Sequence, residues 1–434
     1  MNTHPSMVRA TAVSAFLLAA IAVSPAAAQG LVAVKGGRVE TKDGVIEDAV
    51  VLIDNGRIKQ IGKQGDFEVP WEATTVDAAG KRVLPTYVLA HSQGGVRMAN
   101  ERMENAGFVS IADALDPASP FYEDCLRAGV GTVHAIPGNA TLIGGAGIVV
   151  RPFGRTVPDM AVSTQSGLKL SLLAQGGGRL LQIRKLRRAL DDAREYLADF
   201  DRRKAEFEKE QKAGAIDKDK KWTEEFDKTK KPVLDLLQKK TRGWLYVPGS
   251  AEVPEAMRLQ NELDLVLVLG PQVYRAIDAL KGCKNPVVID EAIEFFEIDP
   301  ETKKETKIRL AKMLADAGIP FALSLGAAPP ANYAWWQLAS CVRQGVDAKT
   351  AMAAMTEVPA KLLGLSDQLG SIEVGKLANL QILTGDPMQA TSWVETVLLE
   401  GQVVYERSKD QRLKYLLETK AADANASGNG NGSK

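Results

Sequence analysis

LDLVLVLG, residues 263–270, is the clearest of several short apolar runs that decide the fold class of this chain. Each run ends in Gly, Pro or a polar residue; the others are GVGTVHAIPG (129–138), WLYVPG (244–249), NPVVIDE (285–291) and IPFALSLG (319–326). Stretches with helical character accompany them, over residues 253–262, 273–281, 301–317 and 348–363. Alternation of this kind predicts parallel strands joined by crossover helices, so we expect an α/β fold with a TIM-like (β/α)8 barrel.

Both ends of the chain carry short strand-like runs. Residues 31–83 contain several, and Asn55-Gly56 between two of them is a strong hairpin signal. Similar runs follow over residues 375–405. We therefore predict a small composite β-sandwich domain over residues 29–84 and 371–406, closed around a barrel over residues 85–370.

Two segments stand apart in composition. Residues 179–240 are dense in charge, and they predict an insertion at about 178–240 of one or two exposed helices broken near Gly214. This insertion is either a docking surface or a solvated excursion from the barrel. Residues 407–434 predict the end of a helix followed by a disordered tail with Asn-Gly repeats.

The first 28 residues have the pattern of a signal peptide. Residues 12–23 are apolar but shorter than the roughly 20 residues that a membrane span needs. Ala26-Ala27-Ala28 then fits a small-residue cleavage site. We expect a periplasmic or secreted protein with no stable membrane span after cleavage.

Composition limits the function further. The 54 basic and 54 acidic residues balance, which gives no field favouring nucleic acid. The three cysteines are far apart in sequence, so they do not indicate a disulfide framework. Only three histidines are present, and His4 lies in the predicted signal peptide, which leaves His91 and His134. A hydrolytic zinc site usually needs more imidazoles than these two, together with a carboxylate.

Several motifs together resemble the amidohydrolase superfamily, in its exported imidazolonepropionase-like branch. The motifs extend over nearly the whole mature chain; they are DALDP (113–117), AGVGTV (128–133), PGN with IGGAG (137–139 and 143–147), TEVPAKLLG (356–364) and GSIEVGKLANL (370–380). The last of these is the most specific. The resemblance implies a barrel with a second domain, and a metal-dependent hydrolase acting on C–N bonds other than peptide bonds.

The same resemblance implies metal ligands at strand ends that this chain lacks. The first strand keeps His91, but Gln93 stands where the family has a second histidine. Gly249, Leu269 and Gly326 stand at the other ligand positions, and none of these side chains can bind a metal. We therefore predict no cofactor, with zinc or another divalent metal only if the site has been rebuilt.

The remaining polar residues at strand ends are candidates for a rebuilt pocket, which would contain His91, Gln93, His134, Asp290 and Glu291. Glu294 lies close to Asp290 and Glu291 in sequence. Each has a structural alternative: the two histidines could be packed and hydrogen-bonded, and the carboxylates could lie in a solvated loop. A carboxylate cluster of this kind could also bind a cation or act as a base.

Three functions follow from these observations. The first is an inactive amidohydrolase-family protein, a pseudoenzyme that forms a homo-oligomer or pairs with an active amidohydrolase paralogue and regulates it. The second is an active hydrolase of a cyclic amide or dipeptide-like substrate with a rebuilt site. The third is a ligand-binding protein that uses the mouth of the barrel.

Overall fold

The computed structural model describes residues 30–164, 166–290, 292–326 and 333–418. The predicted signal peptide and most of the predicted tail therefore lie outside the described residues. No helix in the described ranges is long and apolar enough to cross a bilayer.

The described residues begin with five strands: β1 (Val32–Thr41), β2 (Gly44–Asp54), β3 (Arg57–Lys63), β4 (Thr74–Asp77) and β5 (Arg82–Pro85). β1 and β2 pair antiparallel, as do β2 and β3. The predicted hairpin turn joins β2 to β3, and Asn55 and Gly56 both have positive φ there. This conformation matches the Asn-Gly signal.

The centre of the chain contains twelve described strands: β6 (Tyr87–Ser92), β7 (Val130–Ala135), β8 (Ile143–Ala146), β9 (Ile148–Val150), β10 (Ala161–Ser163), β11 (Leu168–Ser171), β12 (Gly243–Gly249), β13 (Leu265–Gln272), β14 (Val287–Ile289), β15 (Glu294–Ile298), β16 (Glu305–Arg309) and β17 (Phe321–Leu323). The five apolar runs of the sequence form β7, β12, β13, β14 and β17. β11 to β14 and β17 are parallel to one another along one sheet, and β6 is parallel to β7 in another.

The helices of the described chain are α1 (Pro120–Arg127), α2 (Val157–Met160), α3 (Arg179–Lys212), α4 (Lys231–Leu237), α5 (Val253–Glu262), α6 (Ile277–Leu280), α7 (Leu310–Asp316), α8 (Ala334–Arg343), α9 (Ala348–Ala353) and α10 (Glu357–Leu362). Short 3-10 turns cover Ile111–Ala114, Val273–Ala276 and Arg407–Lys409. The predicted helix over 253–262 matches α5. The one predicted over 348–363 is divided into α9 and α10.

The helix predicted over residues 301–317 is wrong in its first half. β15 and β16 form an antiparallel hairpin there, and the helix covers only α7. The physical reason is the turn: the carboxylate of Asp299 accepts hydrogen bonds from the backbone N–H groups of Glu301 and Thr302. Such side-chain capping stabilises a turn in competition with a helix.

The last strands are β18 (Leu380–Leu383), β19 (Val394–Leu399) and β20 (Gln402–Glu406). β18 pairs antiparallel with β5, so strands from both ends of the chain share one eight-stranded sheet. A separate cluster of buried apolar side chains packs within it, including Val39, Val51, Ile53 and Ile382.

The two central sheets meet at residues 143–150. β8 pairs antiparallel with β11, while β9 pairs antiparallel with β7. β8 and β9 are therefore antiparallel to the strands beside them, whereas the alternation of strands and helices predicts parallel strands. β6 and β17 are the strands at the opposite edges of the two sheets. The backbone N–H groups of Val88 in β6 and Leu323 in β17 donate to the carbonyls of Met355 and Ala354.

Side chains pack on both faces of the central strands. The larger cluster lies between strands and helices and includes Leu245, Leu267 and Leu269. A second cluster packs on the opposite face of these strands, here called the inner face, and includes Ala90, Trp244, Val268, Val288 and Ala322. Apolar residues on both faces explain why these strands read as continuous apolar runs.

Candidate functional site

Polar side chains converge at the carboxyl ends of four central strands, on the same face as the inner cluster. Alternation along a strand puts every second side chain on one face. Trp244 and Val288 belong to the inner cluster. Tyr246 and Asp290 each follow two residues later, so their side chains point to the same face. His91 and Lys169 meet there from β6 and β11.

A local irregularity directs His91 into this site. The register of β6 against β7 shifts between Leu89 and Ser92, so that β6 has one extra residue there. A bulge of this kind re-aims a side chain. Ala90 joins the inner cluster, and the next residue, His91, also points inward.

The central contact is a linear array of three side chains. Nζ of Lys169 lies 2.7 Å from Nε2 of His91. Nδ1 of His91 lies 3.3 Å from Oδ1 of Asp290. Asn139 donates from Nδ2 to Oδ2 of Asp290 at 2.7 Å. The Lys169 residue is 0% exposed and the His91 residue 2% exposed, while the Asp290 side chain is 13% exposed, so the array is shielded from water.

With Lys169 protonated, the array has one consistent arrangement of protons. When Lys169 is an ammonium it can only donate, so Nε2 of His91 must accept. The proton of a neutral imidazole is then on Nδ1, where it is donated to Asp290. The positive charge of Lys169 and the negative charge of Asp290 balance through the imidazole, which is how buried charges are tolerated.

Burial and the neighbouring charges shift the pKa values in this site. Burial lowers the pKa of Lys169 to about 7, against the opposing effect of Asp290. Burial and the nearby Lys169 charge also lower the pKa of His91, although its contact with Asp290 acts the other way. Burial would raise the pKa of Asp290, but His91, Lys169 and Asn139 outweigh it and hold the pKa at about 2.

We expect the stability of the protein to rise with pH between pH 7 and 8.5. The pKa of Lys169 falls from 10.5 to about 7 on folding, so the unfolded chain binds more protons in this window. His91, His134, Asp290 and Tyr246 surround the amine, and the lowered pKa values of both histidines leave them neutral in this window. Lys169 should contribute about 2 kcal/mol to this rise, measured by urea unfolding as the difference from Lys169→Met. Lys169→Met should abolish this contribution; an equal rise in that variant would contradict the assignment.

His134 lies next to the array but is fixed by other partners. Its Nδ1 is 2.7 Å from the carbonyl oxygen of Ala90, and its Nε2 is 2.9 Å from Oγ of Ser166. Its ring packs on Trp244, whose indole N–H donates to the carbonyl of Ser166. Burial lowers the pKa of His134 to about 3. A neutral imidazole whose two nitrogens both have partners acts as a packed structural residue.

The predicted pocket residues divide into separate places. His91 and Asp290 are in direct contact, so Asp290 belongs to the array and not to a solvated loop. Gln93 is exposed beyond the end of β6, because the chain turns away at Gly94 and Gly95. Glu294 begins β15 and pairs with Lys307 and Arg343, away from the array. Glu291 lies outside the described residues.

The positions assigned to lost ligands bring no donor to the array. Leu269 packs with Leu265 and Leu267 in the outer layer, so the inward position at the end of β13 belongs to Gly270. A Cβ at Gly270 would lie 2.8 Å from the hydroxyl oxygen of Tyr246. Gly249 ends β12 and Gly326 follows β17, and neither has a side chain to contribute.

Lys169 is the site residue that sequence reasoning missed, although a signal was present. In Leu168-Lys169-Leu170-Ser171-Leu172, the three leucines share one face and the lysine shares the other with Ser171. Every one of these five residues is buried. A lysine buried inside a strand needs a partner, and a histidine at a neighbouring strand end can supply one.

The described residues do not fit a zinc ion. Both nitrogens of His91 already have partners within the array, and both nitrogens of His134 have partners elsewhere. Within the described ranges, no three His, Cys, Asp or Glu side chains are grouped so that they could hold a metal ion. The ammonium of Lys169 would also repel a cation placed beside His91.

Comparison with known proteins agrees with the motifs. Residues 242–404 match the profile of the Amidohydrolase family. Imidazolonepropionase from Flavobacterium johnsoniae is 29% identical over 141 residues, which cover 30% of this chain and 32% of that protein. The match thus spans about a third of the length of this relative.

Solved structures extend the likeness to most of the chain. An amidohydrolase from Thermotoga maritima MSB8 has 26% identity and a TM-score of 0.72, over 87% of this chain and 100% of that one. The β-aspartyl dipeptidase from Fervidobacterium islandicum AW-1 has a TM-score of 0.51 at 12% identity, over 87% and 97% of the two chains, which shows a shared fold alone.

These findings define a mixed α/β protein of the class that combines a TIM barrel with an additional domain. Residues 242–404 form an Amidohydrolase family domain, and the chain is similar to an imidazolonepropionase and to a solved amidohydrolase. The Amidohydrolase family is a family of hydrolases that act on C–N bonds.

Proposed function

We propose that this chain is an amidohydrolase-family protein that has lost its metal ligands and is catalytically inactive. The observation that carries the proposal is the 2.7 Å contact between Nζ of Lys169 and Nε2 of His91. His91 is the one retained ligand that the family resemblance implies. Its Nε2 lone pair is engaged by the amino group of Lys169, so it is not available to a metal.

The charge of the array supports the same proposal. A catalytic metal supplies positive charge, and it lowers the pKa of bound water so that hydroxide is available at neutral pH. Lys169 supplies positive charge beside His91 and Asp290 but has no open position for water, because its residue is 0% exposed. An ammonium can balance Asp290 without performing the chemistry of a metal.

The alternative of a rebuilt hydrolase receives less support from the geometry. It would use His91, His134 and the carboxylates near Asp290. His134 is held by Ala90 and Ser166, and Glu294 is paired with Lys307 and Arg343. A ligand-binding role at the strand ends also has little room, because Trp244 and its neighbours fill the inner face.

We further propose the domain organisation and location that the sequence predicts. The pairing of β5 with β18 supports a composite β domain over residues 29–84 and 371–406. The family likeness supports a closed (β/α)8 barrel over residues 85–370, with α3 and α4 in the insertion at about 178–240. Export to the periplasm or the exterior follows from the pattern of residues 1–28.

The proposed role is to pair with an active relative and regulate it. The chain from residue 29 would be co-expressed with an amidohydrolase that keeps an intact His-x-His strand, and the two tested for co-elution. We expect a complex in which the turnover or melting temperature of the relative changes, and no turnover of cyclic amides or dipeptides by this chain alone.

Turnover by this chain alone would overturn the proposal if it disappears in both His91→Ala and Asp290→Ala. Failure of every intact relative to co-elute would overturn the pairing role.

A further inference from the structure

A groove lies at the opposite end of β6 from the candidate site. Its volume is about 720 Å³, within the range of small-molecule sites. Tyr87, the first residue of β6, contributes to its wall, and His91 lies four residues further along the strand, roughly 13 Å away. The groove is therefore separate from the array of Lys169, His91 and Asp290.

Aromatic and aliphatic side chains from distant parts of the chain form the groove. Trp393 precedes β19, and Tyr333 and Trp335 stand at the start of α8. Leu413 and Leu416 come from the helix over residues 411–418. Trp393 and Leu416 are 50% and 53% exposed, so the apolar surface is open to solvent. Such a surface binds an apolar molecule through the hydrophobic effect.

One guanidinium at the groove is fixed in position and has no acidic partner among the residues that the structure describes. Arg407 stacks on the ring of Trp393 at 4.3 Å, the shortest cation–π distance in the described chain. No acidic side chain of the described residues lies within ion-pair distance of Arg407. Stacking holds the guanidinium plane and leaves its edge N–H donors free to bind a carboxylate in bidentate fashion.

The other charges at the groove are already paired. Arg127 forms a bidentate pair with Asp410 and also bonds to Asp124, and Arg412 bonds to Asp124. The lining contains these two arginines, Arg407 and two aspartates, which leaves one positive charge in excess. The groove therefore matches a molecule with one negative charge and an apolar body.

We propose that this groove binds a monomeric amphiphilic monocarboxylate, with its carboxylate on Arg407 and its apolar body against Trp393, Trp335 and Leu416. The proposal is independent of the role of the strand-end array. A membrane surface and a second copy of this chain are alternative occupants, and the test separates them from the free acid.

The test compares decanoate with decanol, both at concentrations at which they are monomeric, by calorimetry on the full chain. We expect decanoate to bind at least about tenfold more tightly than decanol, since only the acid can form the charge-assisted pair. Arg407→Gln should remove this preference and leave the binding of decanol unchanged. Arg275→Gln is the matched control, because Arg275 also stacks on an aromatic ring, that of Tyr274, outside the groove.

Leu416→Asp should weaken the binding of both compounds, and unchanged melting temperatures would show that the variants fold. Equal affinity for the two compounds, or an unchanged preference in Arg407→Gln, would overturn the proposal. Binding only to anionic vesicles, or a dimer that Leu416→Asp dissociates while decanoate fails to bind, would overturn it in favour of a membrane or a second copy.

Discussion

Lys169→Met should lower the free energy of unfolding by about 3–5 kcal/mol, because removal of one partner from a buried charge pair leaves the other unbalanced. Asp290 would then keep its negative charge in a site where its side chain is only 13% exposed. Met has a similar length, so the change removes the charge and little packing. Urea unfolding at pH 6, below the pKa of about 7 of Lys169, measures the difference, with Lys349→Met as the exposed control.

The double variant Lys169→Met with Asp290→Asn tests the pairing itself. Removal of both charges should restore a large part of the lost stability, because replacement of a whole buried pair by neutral groups is often nearly neutral. Additive losses in the double variant would show that the two charges do not interact through His91.

Trp244→Ala should lower the free energy of unfolding by about 3–5 kcal/mol, the usual cost of emptying a large buried site. Trp244 is 0% exposed, and it packs on His134 and donates to the carbonyl of Ser166. The variant would open a cavity and also loosen the partners of His134. Urea unfolding gives the magnitude.

Trp71→Ala provides the matched control for this variant. Trp71 is 96% exposed, so its removal should change stability by no more than about 0.5 kcal/mol. A cost of less than about 1 kcal/mol for Trp244→Ala would show that the inner face is not tightly packed. That result would favour the alternative of a ligand-binding site at the strand ends.

Much of the fold could be predicted because its signals are local. The five apolar runs became strands, and Asn55-Gly56 formed the turn between β2 and β3. The misassigned helix over 301–317 shows the limit, since the carboxylate of Asp299 stabilises a turn that hydrophobic periodicity does not reveal. The antiparallel direction of β8 and β9 depends on tertiary pairing, which is not encoded in a local pattern.

The candidate site could be predicted in part. His91 and Asp290 were both among the candidates because they follow apolar strands, and the structure brings them together. Their contact with Lys169 depends on three strands far apart in sequence, so no spacing predicts it. The sequence also could not show to which face of the sheet the side chain of Leu269 points. The register of strand pairing decides that, and a shift of one residue exchanges the two faces.

Metal analysis of the purified full chain, expressed with added zinc, tests the loss of the metal centre most directly. An amidohydrolase with an intact His-x-His strand, treated in parallel, provides the positive control. With Lys169 on Nε2 of His91, we predict far less than one metal ion per chain and a melting temperature that a chelator leaves unchanged. Stoichiometric zinc, together with hydrolysis that the chelator abolishes, would contradict the proposed loss.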